Sequence, residues 1–249
     1  MPPTPPPGLS ILLEDNHLLV IDKPAGLLSQ GAQAGDDNAV SRAATYLRDT
    51  YQKPGNVYVG LVHRLDRNTS GVLVLARTSK AASRLAEAFA GRADPGLGER
   101  ASKTYLAVVE GAPPPEGRLE HALLEDDHGV RVVAPSAPHA KRAALVFRQV
   151  ASSQGHALLA VTLLTGRKHQ IRAQLAAAGW PIVGDVRYGP RALRPGVSAF
   201  DRPALHAWRL TFEHPVARSP VRLESPPPAD LLGLLAALGL SAPSPDGPA

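Results

Sequence analysis

A carboxylate set between two guanidinium groups carries the clearest chemical potential of this chain. His63-Arg64-Leu65-Asp66-Arg67-Asn68-Thr69-Ser70-Gly71 stands immediately before the apolar run Val72-Leu73-Val74-Leu75-Ala76. Neighbouring positive charge keeps a carboxylate ionised at neutral pH, which suits a nucleophile or a base and argues against a general acid. Five consecutive apolar residues read as a buried strand, so the polar residues ahead of them occupy that strand's mouth rather than a solvated helix face. The plainer alternative is a strand-initiating turn capped by Asp66 and Ser70.

The elements that must position such a site are mostly strands. Strand-like runs fall at Leu9-Leu13, Leu18-Ile21, Val72-Ala76, Tyr105-Glu110, Arg118-Leu124, Val130-Ala134, Ala144-Val150, His156-Leu164 and Leu205-Phe212. Turn residues at Asp126-Asp127-His128-Gly129 and Ser152-Ser153-Gln154-Gly155 join neighbouring runs as hairpins, which predicts a largely antiparallel or mixed sheet. Helices are expected over Asp37–Thr50, with Val40, Ala44, Leu47 and Tyr51 on one face, and over Ser79–Ala90, stopped by Gly91. A third is expected from Gly166 to Ala178, which places Arg167 in its first turn. The spacing gives an α+β fold with a sheet-dominated core.

With 249 residues the chain can bury a full core. One domain over 11–225 is expected between a Pro-rich tail at 1–10 and a second at 226–249, the latter holding a short docked helix over Ala229–Leu240. The chain has no cysteine, which excludes disulfides, thiolate metal sites and a cysteine nucleophile and fits a cytoplasmic location. No secretory signal and no apolar run of membrane-spanning length is visible, so no membrane partner is expected. Net charge is +5, and the excess is concentrated. Residues 128 to 184 contain Arg131, Lys141, Arg142, Arg148, Arg167, Lys168 and Arg172 and neither Asp nor Glu, the footprint expected of a polyanion partner.

The run His63-Arg64-Leu65-Asp66 with Thr69-Ser70-Gly71 resembles the signature of the RluA-type pseudouridine synthases, and three further segments agree in order. Asp15 to Leu27 resembles the family's opening segment, and Lys103-Thr104-Tyr105 to Gly111 its tyrosine strand. Thr165-Gly166-Arg167-Lys168-His169-Gln170-Ile171-Arg172, continuing to Tyr188-Gly189, resembles its distal motif. The resemblance implies a bisected, largely antiparallel β-sheet flanked by a few helices. It also implies an isomerase that converts uridine to pseudouridine in structured ribosomal or transfer RNA, with no cofactor and no metal. Asp66 matches the family's catalytic carboxylate. Tyr105 matches the residue beneath the target base, and Arg167 the partner of the carboxylate. Arg64 matches the residue that fills the gap left when a nucleotide flips out, a task for which a planar guanidinium is suited. Lys168, Arg172 and Arg142 are the expected RNA contacts of the basic segment.

Lys168 stands where the family usually has Thr, and Gln174 where it often has His; the first adds charge beside Arg167, the second affects packing. The opening motif begins near residue 11, so the small RNA-binding domain that precedes it in many relatives is not expected, and target choice rests on the catalytic domain, expected to be monomeric. A catalytically silent RNA-binding module is the alternative from another class, against which Asp66, Tyr105 and Arg167 argue together. A hydrolase using Ser70, His63 and Asp66, or a metal site using His63, His169 and His206, lacks the supporting G-x-S-x-G or H-E-x-x-H motif.

Overall fold

The computed structural model describes residues 9–31, 36–90, 101–127, 129–189 and 200–243. The proline run Pro2 to Pro7, the helix stop at Gly91, the turn residue His128 and the last six residues lie outside them. The chain forms two compact units, one from Met1–Ala101 with Ala207–Pro226, the other from Ser102–His206 with Pro227–Ala249. The fold is α+β, and every strand pair with a described register is antiparallel.

The first unit holds β1 (Ser10–Glu14), β2 (Leu18–Lys23), α1 (Ala39–Thr50), β3 (Gly60–Leu61), β4 (Ser70–Ala76) and α2 (Ser79–Phe89). Its strands run in the order β1-β2-β4, followed by β10 (Leu205–Glu213), and β11 (Pro220–Glu224) pairs with β10. The run Val72–Ala76 is a strand buried along its whole length, as its unbroken apolar sequence requires. With Leu18 and Val20 of β2 and Leu210 and Phe212 of β10 it forms a core that α2 covers with Ala81, Leu85 and Phe89. Helix α1 begins two residues later than the acidic start suggests. Asn38 caps it in a reciprocal box with Ser41, whose N–H reaches the Asn38 side chain at 3.0 Å. The buried face is accordingly Ala39, Ala43, Tyr46 and Leu47, and Tyr51, expected inside, is exposed.

The second unit holds β5 (Ser102–Glu110), β6 (Glu116–Asp126), β7 (Gly129–Val133), β8 (Lys141–Ser153), β9 (His156–Leu163), α3 (Gln170–Ala177) and α4 (Ala229–Ala237). Its strands run β5-β9-β8-β6-β7. The β8–β9 hairpin turns at Gln154 and Gly155, with φ of 51° and 77°, the pair of positive values that a type I′ turn demands. Helix α4 buries Leu231, Leu234 and Leu235, and Arg202, itself buried, donates to both oxygens of Asp230 at 2.7 and 3.0 Å. That bidentate pair fixes the helix within the Pro-rich tail.

Gly71, which opens β4, has φ of +113°, and a Cβ there would lie 2.2 Å from the carbonyl oxygen of Ala207. Both the backbone conformation and the close approach require glycine. Gly71→Ala should therefore cost about 2–4 kcal/mol of stability, read from urea unfolding, with the slope against denaturant unchanged.

Candidate active site

In the first unit the loop that carries Asp66 is clamped from below. Lys23 ends β2 opposite Gly71 and has no solvent exposure. Its ammonium donates to the carbonyls of Pro24 at 2.8 Å, Leu27 at 2.8 Å and Arg67 at 3.1 Å. A buried cation survives only where polar atoms replace its hydration, and here backbone oxygens do so. The carbonyl of Arg67 also accepts from the Gly26 N–H at 2.9 Å, and Arg67 Nε donates to the Gly26 carbonyl at 3.0 Å. On the other flank, the buried Ser29 hydroxyl donates to the Leu65 carbonyl at 2.8 Å and accepts from the Leu65 N–H at 3.0 Å. The backbone on both sides of Asp66 is thus fixed by side chains from the segment 23–29. Asp66 itself is half-buried, and its carbonyl accepts from the Thr69 N–H at 3.0 Å to close the turn. Arg64 and Arg67 are exposed.

His63 is a structural residue. Its Nε2 accepts from the Val74 N–H at 3.0 Å, and its ring stacks on Phe89 with centroids 4.4 Å apart. That lone pair is committed to the strand, and Ser70 is buried, so the hydrolase arrangement has neither a free base nor an open nucleophile. Among the described residues no group of three side chains is placed to hold a metal ion.

In the second unit Tyr105 lies on β5 opposite Val161 and is 7% exposed. Lys103 lies two residues earlier on the same strand, and its Nζ would be 3.4 Å from a Cβ at Gly166. Burial pushes the Lys103 ammonium below the usual lysine range. The sequence contains this lysine in a motif, but nothing in its spacing separates it from a solvated strand residue.

Arg167 is not in the first turn of a helix. Helix α3 starts at Gln170, after His169 in a left-handed conformation with φ of 50°. The reason is Gln170, which is 2% exposed. Its side-chain oxygen accepts from the Arg167 N–H at 3.0 Å and the Thr165 hydroxyl at 2.8 Å, while its amide donates to the Ala144 carbonyl at 3.0 Å. Arg167 therefore sits on a short loop tied to β8, exposed, with Nε donating to the Arg142 carbonyl at 3.2 Å. An argument from the helix dipole does not apply to it. Gln170 is the positioning residue that the sequence reading missed; a glutamine three residues after an arginine carries no visible mark of burial.

The basic segment meets its counter-charges on neighbouring elements. Arg131 pairs with Asp126 at 3.0 Å, Arg142 with Glu120 at 3.0 Å and Lys168 with Glu125 at 2.6 Å, all three acids on β6. Arg118, together with Arg142, holds the Glu120 carboxyl below its usual range. Arg172, expected to touch RNA, is turned inward: it binds Asp185 through both oxygens at 2.6 and 2.9 Å, with its side chain 11% exposed and that of Asp185 fully buried. It is a structural ion pair and leaves the set of surface contacts. Gln174, fully buried, donates to the carbonyls of Leu119 and Ala143, each at 3.2 Å, a packing role as expected.

Residues 17–177 match the family model described as RNA pseudouridylate synthase. The chain is 39% identical over 242 residues to the ribosomal large subunit pseudouridine synthase D of Xylella fastidiosa, covering 92% of this chain and 69% of that protein. It is 35% identical over 241 residues to the protein of the same name from Pseudomonas aeruginosa, covering 92% and 72%. Among solved structures, human RNA pseudouridylate synthase domain containing 4 superposes with a TM-score of 0.78 at 25% identity, covering 94% of this chain and 95% of that one.

Gln170→Leu keeps the apolar bulk and removes all of these bonds. It should speed hydrogen exchange of the Arg167 amide by about tenfold or more, read by mass spectrometry or NMR, while amides of β9 keep their protection.

Proposed function

Because the chain belongs to the RluA-type family of RNA pseudouridine synthases, and so is an isomerase acting on uridine in RNA, we propose that Asp66 is its catalytic carboxylate and large-subunit ribosomal RNA its substrate. The reaction breaks the bond from ribose C1′ to uracil N1 and joins C1′ to C5 of the same base. The C5 proton is released and N1 gains one, so no atom or electron is left over and side chains can supply all the chemistry. A carboxylate serves it by adding to the sugar or base, or by stabilising a separated sugar cation. Tyr105 and Arg167, which match the family's tyrosine strand and distal motif, are the further side chains that serve the reaction.

The observation that carries this reading is the clamp around Asp66. Lys23 holds the carbonyl of Arg67 and Ser29 holds both backbone groups of Leu65, so the backbone that carries the carboxylate is fixed before substrate arrives. Preorganisation of that kind is what a reaction between bonded atoms of one nucleotide needs. The ribosomal assignment rests on the names of the bacterial relatives. Arg64, Arg142 and Lys168, all on the surface, contact the RNA; Arg172 does not.

Asp66→Asn is nearly isosteric and cannot act as nucleophile or base. Turnover of an unmodified ribosomal RNA transcript, measured by tritium release from C5-labelled uridine, should fall below detection while affinity for the RNA changes only a few fold. Retained turnover would remove Asp66 from the chemistry. Arg64→Lys keeps the charge and loses the planar stacking surface, so its defect should be large on a folded stem-loop and small on an unstructured oligonucleotide of the same sequence. Equal defects on the two RNAs would reduce Arg64 to a phosphate contact.

A further inference from the structure

The loop that carries Arg167 forms one wall of a groove of about 440 Å³ that lies wholly in the second unit. Its apolar lining comes from Leu123, Leu124 and Val130 on β6 and β7. Its rim carries His139 and Lys141 at the entry to β8, and Arg167 and Lys168 on the loop. A single carboxylate, Glu125, faces these cations, 2.6 Å from the Lys168 Nζ.

We propose that this groove is a subsite for one unstacked nucleotide of the RNA substrate, its base and sugar against the apolar lining and its phosphate on Lys141 and Lys168. The inference rests on the reading of the chain as an RNA isomerase and adds where one nucleotide of that RNA is held. Four features support it. The volume falls in the range of sites for a single small ligand and suits one unstacked nucleotide rather than a helix. An apolar lining under a cationic rim matches the two chemical halves of a nucleotide. Lys141 is exposed and has no ion pair among the described residues, so its charge is available to a phosphate. Arg167, a residue of the family's distal motif, belongs to the same wall, which ties the groove to the part of the chain that serves the reaction.

Glu125 gives the subsite a second property. Both members of its pair with Lys168 are substantially exposed, at 51% and 37%, so the contact is weak and exchanges readily for a stronger anion. Glu125 is then an internal competitor: it occupies Lys168 until a phosphate in the right place displaces it. A loosely held polyanion that reaches only Lys168 gains little over the carboxylate already there. One that also reaches Lys141 gains a charge contact with no local competitor. Specificity of this kind is built from a difference between two anions rather than from attraction alone.

The test uses the full chain and a stem-loop transcript of large-subunit ribosomal RNA that the wild type isomerises, with affinity measured against salt concentration. Lys141→Gln should weaken binding about threefold to tenfold and lower the salt slope by about 0.7, the value of one contact to single-stranded RNA. Glu125→Gln should tighten binding about twofold to fivefold by releasing Lys168. Replacing the phosphates of the stem-loop one at a time with methylphosphonate should reveal one position that weakens the wild type and adds nothing to the defect of Lys141→Gln. Circular dichroism and thermal unfolding confirm that the variants, all at exposed side chains, remain folded. An unchanged slope in Lys141→Gln, or methylphosphonate losses that all add to it, would overturn the subsite while leaving wild-type isomerisation intact. A wild type that releases no tritium from any ribosomal transcript would instead overturn the substrate reading on which the subsite stands.

Discussion

An ammonium group with no access to water has to be hydrated by the protein, and the way Lys23 meets that demand organises the rest of the first unit. Three backbone oxygens surround it, from Pro24, Leu27 and Arg67. Two of them belong to the segment that follows β2 and one to the loop before β4, forty-four residues further along the chain. Removing the charge would strip these oxygens of a shared donor, and removing the oxygens would strand the charge, so each holds the other in place. Ser29 repeats the device with a hydroxyl on the opposite side of Asp66. The turn that carries Asp66 is thereby held largely by side chains from outside it.

Gln170 solves the corresponding problem in the second unit with a neutral group. A primary amide carries an acceptor and donors at one end of a side chain, so it can take the N–H of Arg167 and the hydroxyl of Thr165 while giving a proton to the carbonyl of Ala144. The loop that presents Arg167 is therefore tied to β8 through the first residue of α3. Farther along α3, Gln174 reaches the carbonyls of Leu119 and Ala143 in the same manner. Two buried amides on one short helix thus add hydrogen bonds to the apolar burial of Ile171, Ala173 and Leu175.

Much of this could be read from the sequence, and the limits have physical causes. The strand Val72–Ala76, the Gln154-Gly155 turn and the helix over Ala229–Ala237 announce themselves because local composition determines them. The position of Asp66 at a strand mouth followed from the same logic. Arg167 was misplaced because helix boundaries depend on which side chain competes for the first free N–H groups, and a buried glutamine does so invisibly. Helix α1 buries Ala39, Ala43, Tyr46 and Leu47, a face shifted from the expected Val40, Ala44 and Tyr51 by packing that the sequence pattern does not display. Arg172 was misread as a surface charge because Asp185 is distant in sequence and near in space. The stretch 128–184 contains no acid, yet β6 brings Glu120, Glu125 and Asp126 alongside it. Linear charge counts cannot see a strand pairing.

That row of acids on β6 bears on how long the protein stays on any RNA it meets. A surface of unmatched lysines and arginines would adhere to every transcript in its vicinity, because counterion release rewards contact with any phosphate. Here several cations have already traded their mobile counterions for fixed carboxylates, so encounter with an arbitrary strand releases fewer ions and dissociation is correspondingly fast. A modification enzyme visits each target once and must then leave it. Short residence on the wrong molecule, and on the finished one, follows from the pairing of two neighbouring strands.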